Sequence, residues 1–343
     1  LLVVALLLGL AACSSDDDNG GGDEAVQTGT VRFMANGEDF IREPFVSKDG
    51  WTIAFDHFFV NFFGPTALQG TVEGEEADAG GSSAKAVRGG VEPMHAGHPH
   101  TGITAGEVHV ALVGDYLVDL HQTPLAGQGE DRTLVGTVED GDALGNVAKT
   151  GDYNSVNFNV KPVERLLGAY TGTCPAMSAS ECAEAAEAME GYGLRMVGTA
   201  SDGVETVGFD IRLLPVLDGD PDASGLAWSS CTWEGDPERP GLVTAGGSGW
   251  VEMTFHSDHI FGNGEEPDPD LDDFATGFEP FNKVAEAGGC NAGEDRCIVA
   301  TQEDLREQWG NLAGNYPELQ YAYGMLVYAL GTLGHCGEGH CLH

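Results

Sequence analysis

The residues best suited to chemistry in this chain are its histidines, eleven in 343 residues and mostly clustered. The densest group is PMHAGHPH at 93–100, where Met94, His95, His98 and His100 stand close together with Glu92 alongside. Imidazole nitrogen suits copper, zinc, nickel or iron, and a thioether favours soft Cu(I). Gly97 and Pro99 permit the tight turns that would bring three imidazoles round one ion. An exposed loop whose histidines bind nothing is the competing reading. A second group, His256-Ser257-Asp258-His259, ends a strand-like stretch. Histidines three apart can converge at a strand end, and Asp258 between them would make a mixed nitrogen and oxygen donor set. The pattern is not HExxH, so it is no zincin. The third group is the tail GHCGEGHCLH, with His335, Cys336, Glu338, His340, Cys341 and His343. There a Cys336–Cys341 disulfide loop competes with a metal site on His335 and His340, and the two are compatible. The spacing is not the C-x2-C of a structural zinc knuckle.

Three more histidines lie on strand-like sequence. His57 adjoins Asp56, and neighbours on a strand face opposite sides of the sheet, so those two do not share an ion. His109 and His121 would sit near one another on the two arms of a hairpin turning at Gly114-Asp115, with Asp119 on the face of His121. Each of the three reads as structural before it reads as a ligand. Asp268, Asp270, Asp272 and Asp273 offer oxygens to calcium, but the EF-hand ligand series is missing from the loop at 290–302. Calcium therefore ranks below copper or zinc. No GxSxG elbow, phosphate loop or dinucleotide fingerprint occurs. Ser257, Asp258 and His259 are side by side in sequence, which is poor geometry for a catalytic relay. The expectation is a binding protein, not an enzyme.

The elements that must position these groups are short strands. Thr30–Ala35 followed by Asn36-Gly37 reads as a strand and a tight turn. Residues 51–63, 107–113, 116–121, 132–139, 154–160, 193–200, 205–214 and 250–255 continue the series between Gly, Asp and Asn turns. This predicts a mainly β fold, an antiparallel β-sandwich over 29–262. Residues 70–103 read as a long loop. Ser178–Glu190 is a capped helix, rich in Ala and Glu. Beyond 262, residues 278–287, 302–309 and 321–333 read as helices, the second opened by Thr301 with Asp304 three residues on. The segment 263–343 is expected to form a small, disulfide-stapled helical cap.

Charge is strongly one-sided: 15 Lys and Arg against 55 Asp and Glu give −40. Such a field repels nucleic acid and favours cations. The first twelve residues, LLVVALLLGLAA, are uncharged and run into Cys13 and then SSDDDNGGGDE. Twelve residues make about 18 Å of helix, short of the roughly 20 residues a membrane span needs. The form is that of a signal-peptide core, here expected to lack its first residues. Leu10-Ala11-Ala12-Cys13 resembles the lipobox of bacterial lipoproteins. The implication is lipidation at Cys13, a tether at 13–28 and an outer-membrane location. In that compartment disulfides form. Local pairs would be Cys174 with Cys182, Cys290 with Cys297 and Cys336 with Cys341, leaving Cys231 over. Spacing does not fix the connectivity.

The segments FVSKDGWTIAFDHFFVNF, HSDHIF and GHCGEGHC are similar to those of a family of envelope lipoproteins from myxobacteria and allied groups. The resemblance covers most of the mature chain. Its members often carry an acidic, EF-hand-like stretch before the final helix, where this chain has cysteines. The family brings no established activity. Binding of copper or zinc for uptake, buffering or delivery is the leading function; a non-catalytic adhesion or assembly module with an envelope partner competes with it, and a metal-dependent hydrolase or oxidase is a distant third.

Overall fold

The structure, a computed structural model, describes residues 26–72, 103–122, 132–139, 147–214, 226–232, 241–265, 267, 272–288 and 296–335. The chain begins with β1 (Thr30–Asn36), a short helix α1 (Glu38–Arg42) and β2 (Phe45–Val46). It then runs unbroken through β3 (Thr52–Val72), 21 residues long. β4 (Ile103–Ala111), β5 (Asp115–Asp119), β6 (Thr133–Val138), β7 (Gly151–Asp152) and β8 (Ser155–Val160) follow. A small hairpin, β9 (Arg165–Leu166) and β10 (Ala169–Tyr170), leads to α2 (Ala179–Ala188). Next come β11 (Leu194–Ser201), β12 (Thr206–Leu213), β13 (Leu226–Thr232), β14 (Leu242–Val243) and β15 (Ser248–Phe255). The last part holds α3 (Asp258–Phe261), α4 (Glu279–Glu286), β16 (Cys297–Thr301), α5 (Gln302–Leu312), α6 (Leu319–Thr332) and β17 (Gly334–His335).

Among the described residues the fold is mainly β. Two large sheets share one core. In the nine-stranded sheet β3 is the spine: β11 and β8 pair along it, as do β2, β5 and β4. In the four-stranded sheet the order is β17-β15-β1-β6. The expectation of purely antiparallel pairing is corrected at two places. β1 runs parallel to β15, and β12 runs parallel to β16. Both pairings join strands far apart in sequence, which local turn signals do not register. The expected hairpin at Gly114-Asp115 is also absent. β4 and β5 both pair with β3, over residues 66–72 and 59–63, so they form one line along its edge. Gly114, at φ 98°, interrupts that line without reversing it. The predicted loop at 70–103 likewise begins later, since β3 continues to Val72.

Burial follows the pleat. Ile53 and Phe55 face the core, and after one extra residue Phe58, Val60 and Phe62 do so again. The shift of phase is a bulge opposite Val197 and Gly198, which re-aims side chains at the cost of one ladder position. On the other face of β3, Phe59 packs with Leu117, Val163 and the α2 residues Ala185 and Ala186. Ser178 caps α2 with the reciprocal Glu181 bond, and Cys174–Cys182 bridges its first turn. Cys297 is disulfide-bonded as well; Cys290, Cys336 and Cys341 lie outside the described residues.

The C-terminal segment is woven into both sheets, β16 into one and β17 into the other. Thr301 caps α5 with Asp304 in a capping box, as its sequence predicts. Leu319, Ala322, Leu326, Ala329 and Leu330 of α6 recur at helical spacing and are all buried. Among the described residues no helix is long and apolar enough to cross a membrane. Aromatic rings tie the layers together: Phe62 and Phe158 from one sheet meet Phe255 from the other at centroid distances of 5.6 and 6.0 Å. Phe255→Ala removes the ring that joins the sheets. It is expected to cost about 3–5 kcal/mol, read as a lower denaturant midpoint in equilibrium unfolding.

Candidate functional site

β15 carries apolar residues into the core and ends at Phe255; the chain then turns through α3. Ile260 and Phe261, both fully buried, pin that turn from below. Gly262 ends it at φ 72°, where a Cβ would lie 2.6 Å from Asp272 Oδ1 and from the Lys48 side chain. Ser257 Oγ donates to Phe40 O of α1 at 2.6 Å, and His256 N–H donates to Leu333 O at 3.1 Å. The HSDH stretch is thus clamped where β15, α1, α6 and β17 meet.

Within it, one ligand atom from each of His256, Asp258 and His259 lies within 4.8 Å of the others. The two imidazole centroids are 5.5 Å apart. His259 is 6% exposed and Asp258 7%, whereas the His256 side chain is 18% exposed. His256 is thus the most exposed of the three. His259 Nδ1 stands 3.0 Å from Thr332 Oγ1, and that hydroxyl donates its own proton to Ala329 O at 3.0 Å. The threonine oxygen therefore accepts from Nδ1–H, and the lone pair of neutral His259 falls on Nε2. A fixed tautomer of this kind is what orients a metal-ligating histidine.

Beside these three, and outside their mutual 4.8 Å, stands a carboxylate from α1. Glu38 Oε2 lies 3.4 Å from His256 Nδ1, with Asp258 Oδ1 at 3.9 Å from the same nitrogen. Glu38 has φ 49°, a left-handed backbone that costs an L-residue about 1–2 kcal/mol. Its N–H donates to Asn36 Oδ1 at 2.8 Å. Asn36 in turn is held by Arg42 and by Glu252, the latter at 3.3 Å. Burial pushes the Glu252 carboxyl above its ordinary range, against the opposing pull of Arg132 and its hydrogen bonds to Asn36 and Thr254.

The other expected ligands do not join this group. His121 Nδ1–H donates to Ile41 O at 2.8 Å, so it serves to pin α1. His109 is exposed on β4 opposite Leu68. It lies far along the same edge from His121, because the hairpin that would have paired them does not form. His57 is held elsewhere: its Nδ1–H donates to the fully buried Asp119 at 2.6 Å. Asp56 and His57 are both exposed, because the bulge breaks the alternation that would have put them on opposite faces. Among the described residues, no cluster of three or more ligands forms around His57, His109 or His121. Met94, His95, His98, His100 and His340 lie outside the described residues. For His335 only the backbone is described, opposite Thr254. Of the acidic run suggested for calcium, Asp272 accepts Asn263 N–H at 3.0 Å and so closes a loop, while Asp268 and Asp270 lie outside the described residues.

The sequence alone points to the triad but not to Glu38 or Thr332. Asn36-Gly37 reads as a tight turn, and nothing local marks a glutamate 218 residues from His256 as its neighbour. Compared with known families, curated proteins and solved structures, the chain matches none of them.

The His57–Asp119 pair gives a separate, measurable signature. The hydrogen bond to Asp119 raises the imidazole above its ordinary 6.5, outweighing its partial burial. A raised folded value means that the pair contributes fully below pH 6.5 and that its contribution is lost as pH rises through the folded value. NMR titration is expected to show a high His57 midpoint that falls in Asp119→Asn. An unchanged midpoint would remove Asp119 as the cause.

Proposed function

We propose that this protein is an envelope-tethered lipoprotein, anchored through Cys13, whose β body binds one divalent transition metal ion for uptake, buffering or delivery. The observation that carries this reading is the convergence of donor atoms from His256, Asp258 and His259 within 4.8 Å. Zinc binds imidazole nitrogen and carboxylate oxygen at about 2.0–2.2 Å. Tetrahedral ligands at those lengths stand about 3.3–3.6 Å apart, so side-chain rotations of about an ångström would close the set. Two imidazoles and a carboxylate suit zinc first and copper(II) second, while hard calcium prefers oxygen alone. The fixed tautomer of His259 supports the same reading. So does the charge of −40, which raises the local concentration of cations and disfavours nucleic acid as a partner.

Elemental analysis and zinc titration of the Cys13→Ser protein, released without its lipid, test the proposal. One equivalent of saturable binding is expected, lost in His256→Ala and His259→Ala. Undiminished binding in the double variant would place the ion elsewhere. No saturable binding by the unaltered site would leave the adhesion or assembly reading.

A further inference from the structure

Resting on that metal-site reading, we infer that Glu38, which contacts His256 but stands outside the group of three, swings in as a fourth ligand when the ion binds and completes a set of two nitrogens and two carboxylate oxygens. The parallel pairing of β1 with β15 sets Asn36 beside Thr254. Two residues further along each strand, Glu38 and His256 meet, with Glu38 Oε2 3.4 Å from His256 Nδ1. That separation is long for a charge-assisted hydrogen bond of about 2.7–2.9 Å. It matches the edge of a tetrahedral zinc site, about 3.3–3.6 Å from the bond lengths. Asp258 Oδ1 is 3.9 Å from the same nitrogen, slightly longer than such an edge.

The backbone explains how the carboxylate is kept there. Glu38 has φ 49°, a region that side-chain-bearing residues occupy only when the surroundings enforce it. Enforcement comes from Asn36, whose Oδ1 takes the Glu38 N–H, and from Ser257, whose hydroxyl ties the next turn of α1 to the HSDH stretch. A glycine would relax this backbone, yet the position holds a carboxylate beside His256. Asn36 is a positioning residue in this arrangement, and Glu252 holds it from behind. A closed tetrahedral set is the form of a storage or structural site, since a catalytic site keeps an open position.

The test uses the full chain as Cys13→Ser, titrated with zinc against a chromophoric chelator, and repeated as Glu38→Gln and Glu38→Gly. Outer-shell changes at metal sites cost about 10–100-fold in affinity, so loss of a direct ligand is expected to cost at least about 100-fold. The Glu38→Gly apo protein should melt no lower than the parent, because strain is relieved while affinity is lost. X-ray absorption of the zinc-loaded parent should show two nitrogen and two carboxylate oxygen neighbours, with one carboxylate replaced by water in Glu38→Gln. Parent-like affinity in Glu38→Gln overturns the assignment and leaves the triad intact. A Glu38→Gly apo protein that melts lower than the parent makes Glu38 a structural residue and also overturns it. Absence of zinc binding by the parent sinks the metal-site reading itself, and this inference with it.

Discussion

The parallel register between β1 and β15 is the constraint on which the candidate site depends. Asn36 stands beside Thr254, and because parallel strands advance together, the residues just beyond one strand meet those just beyond the other. α1 and α3 thereby become neighbours at the same end of the sheet. Ser257 locks them by its bond to Phe40 O. On the other side of β15, antiparallel β17 sets Leu333 against His256 and brings Thr332 of α6 to His259. Four elements are therefore anchored to one strand end before any ion is considered.

A buried polar network supports that end. Glu252 is 2% exposed and is met by Arg132, Asn36 and Thr254. A buried carboxylate is tolerated only when paired and hydrogen-bonded, and here its partners also hold the residue that shapes Glu38. Hydrophobic packing does the rest: Phe255, Ile260 and Phe261 anchor the strand and turn from the core side. The donors thus sit on packed elements, with His256 the partly exposed member of the group.

Much of the fold is legible in the sequence where the signal is local. Alternating apolar residues mark most strands, Thr301 with Asp304 announces one helix and the Ala- and Glu-rich stretch after Ser178 another, and the nearness of Cys174 and Cys182 in sequence suggests the pair that forms. The HSDH group is legible too, since strand-end histidines converge. Non-local pairing is not. The line of β4 and β5 along β3 looks in sequence like a hairpin, because glycine followed by aspartate is an ordinary turn signal. Asp119 as partner of His57 depends on that line and on a bulge. Glu38 depends on a parallel pairing between strands more than two hundred residues apart, for which a single sequence carries no periodicity.

The most direct measurement is anomalous diffraction at the zinc edge from crystals of the zinc-loaded protein. The strongest peak is expected about 2.0–2.2 Å from His256, Asp258 and His259, at the end of β15. A strongest peak at the 93–100 histidines or in the tail, with nothing between His256 and His259, would contradict that placement.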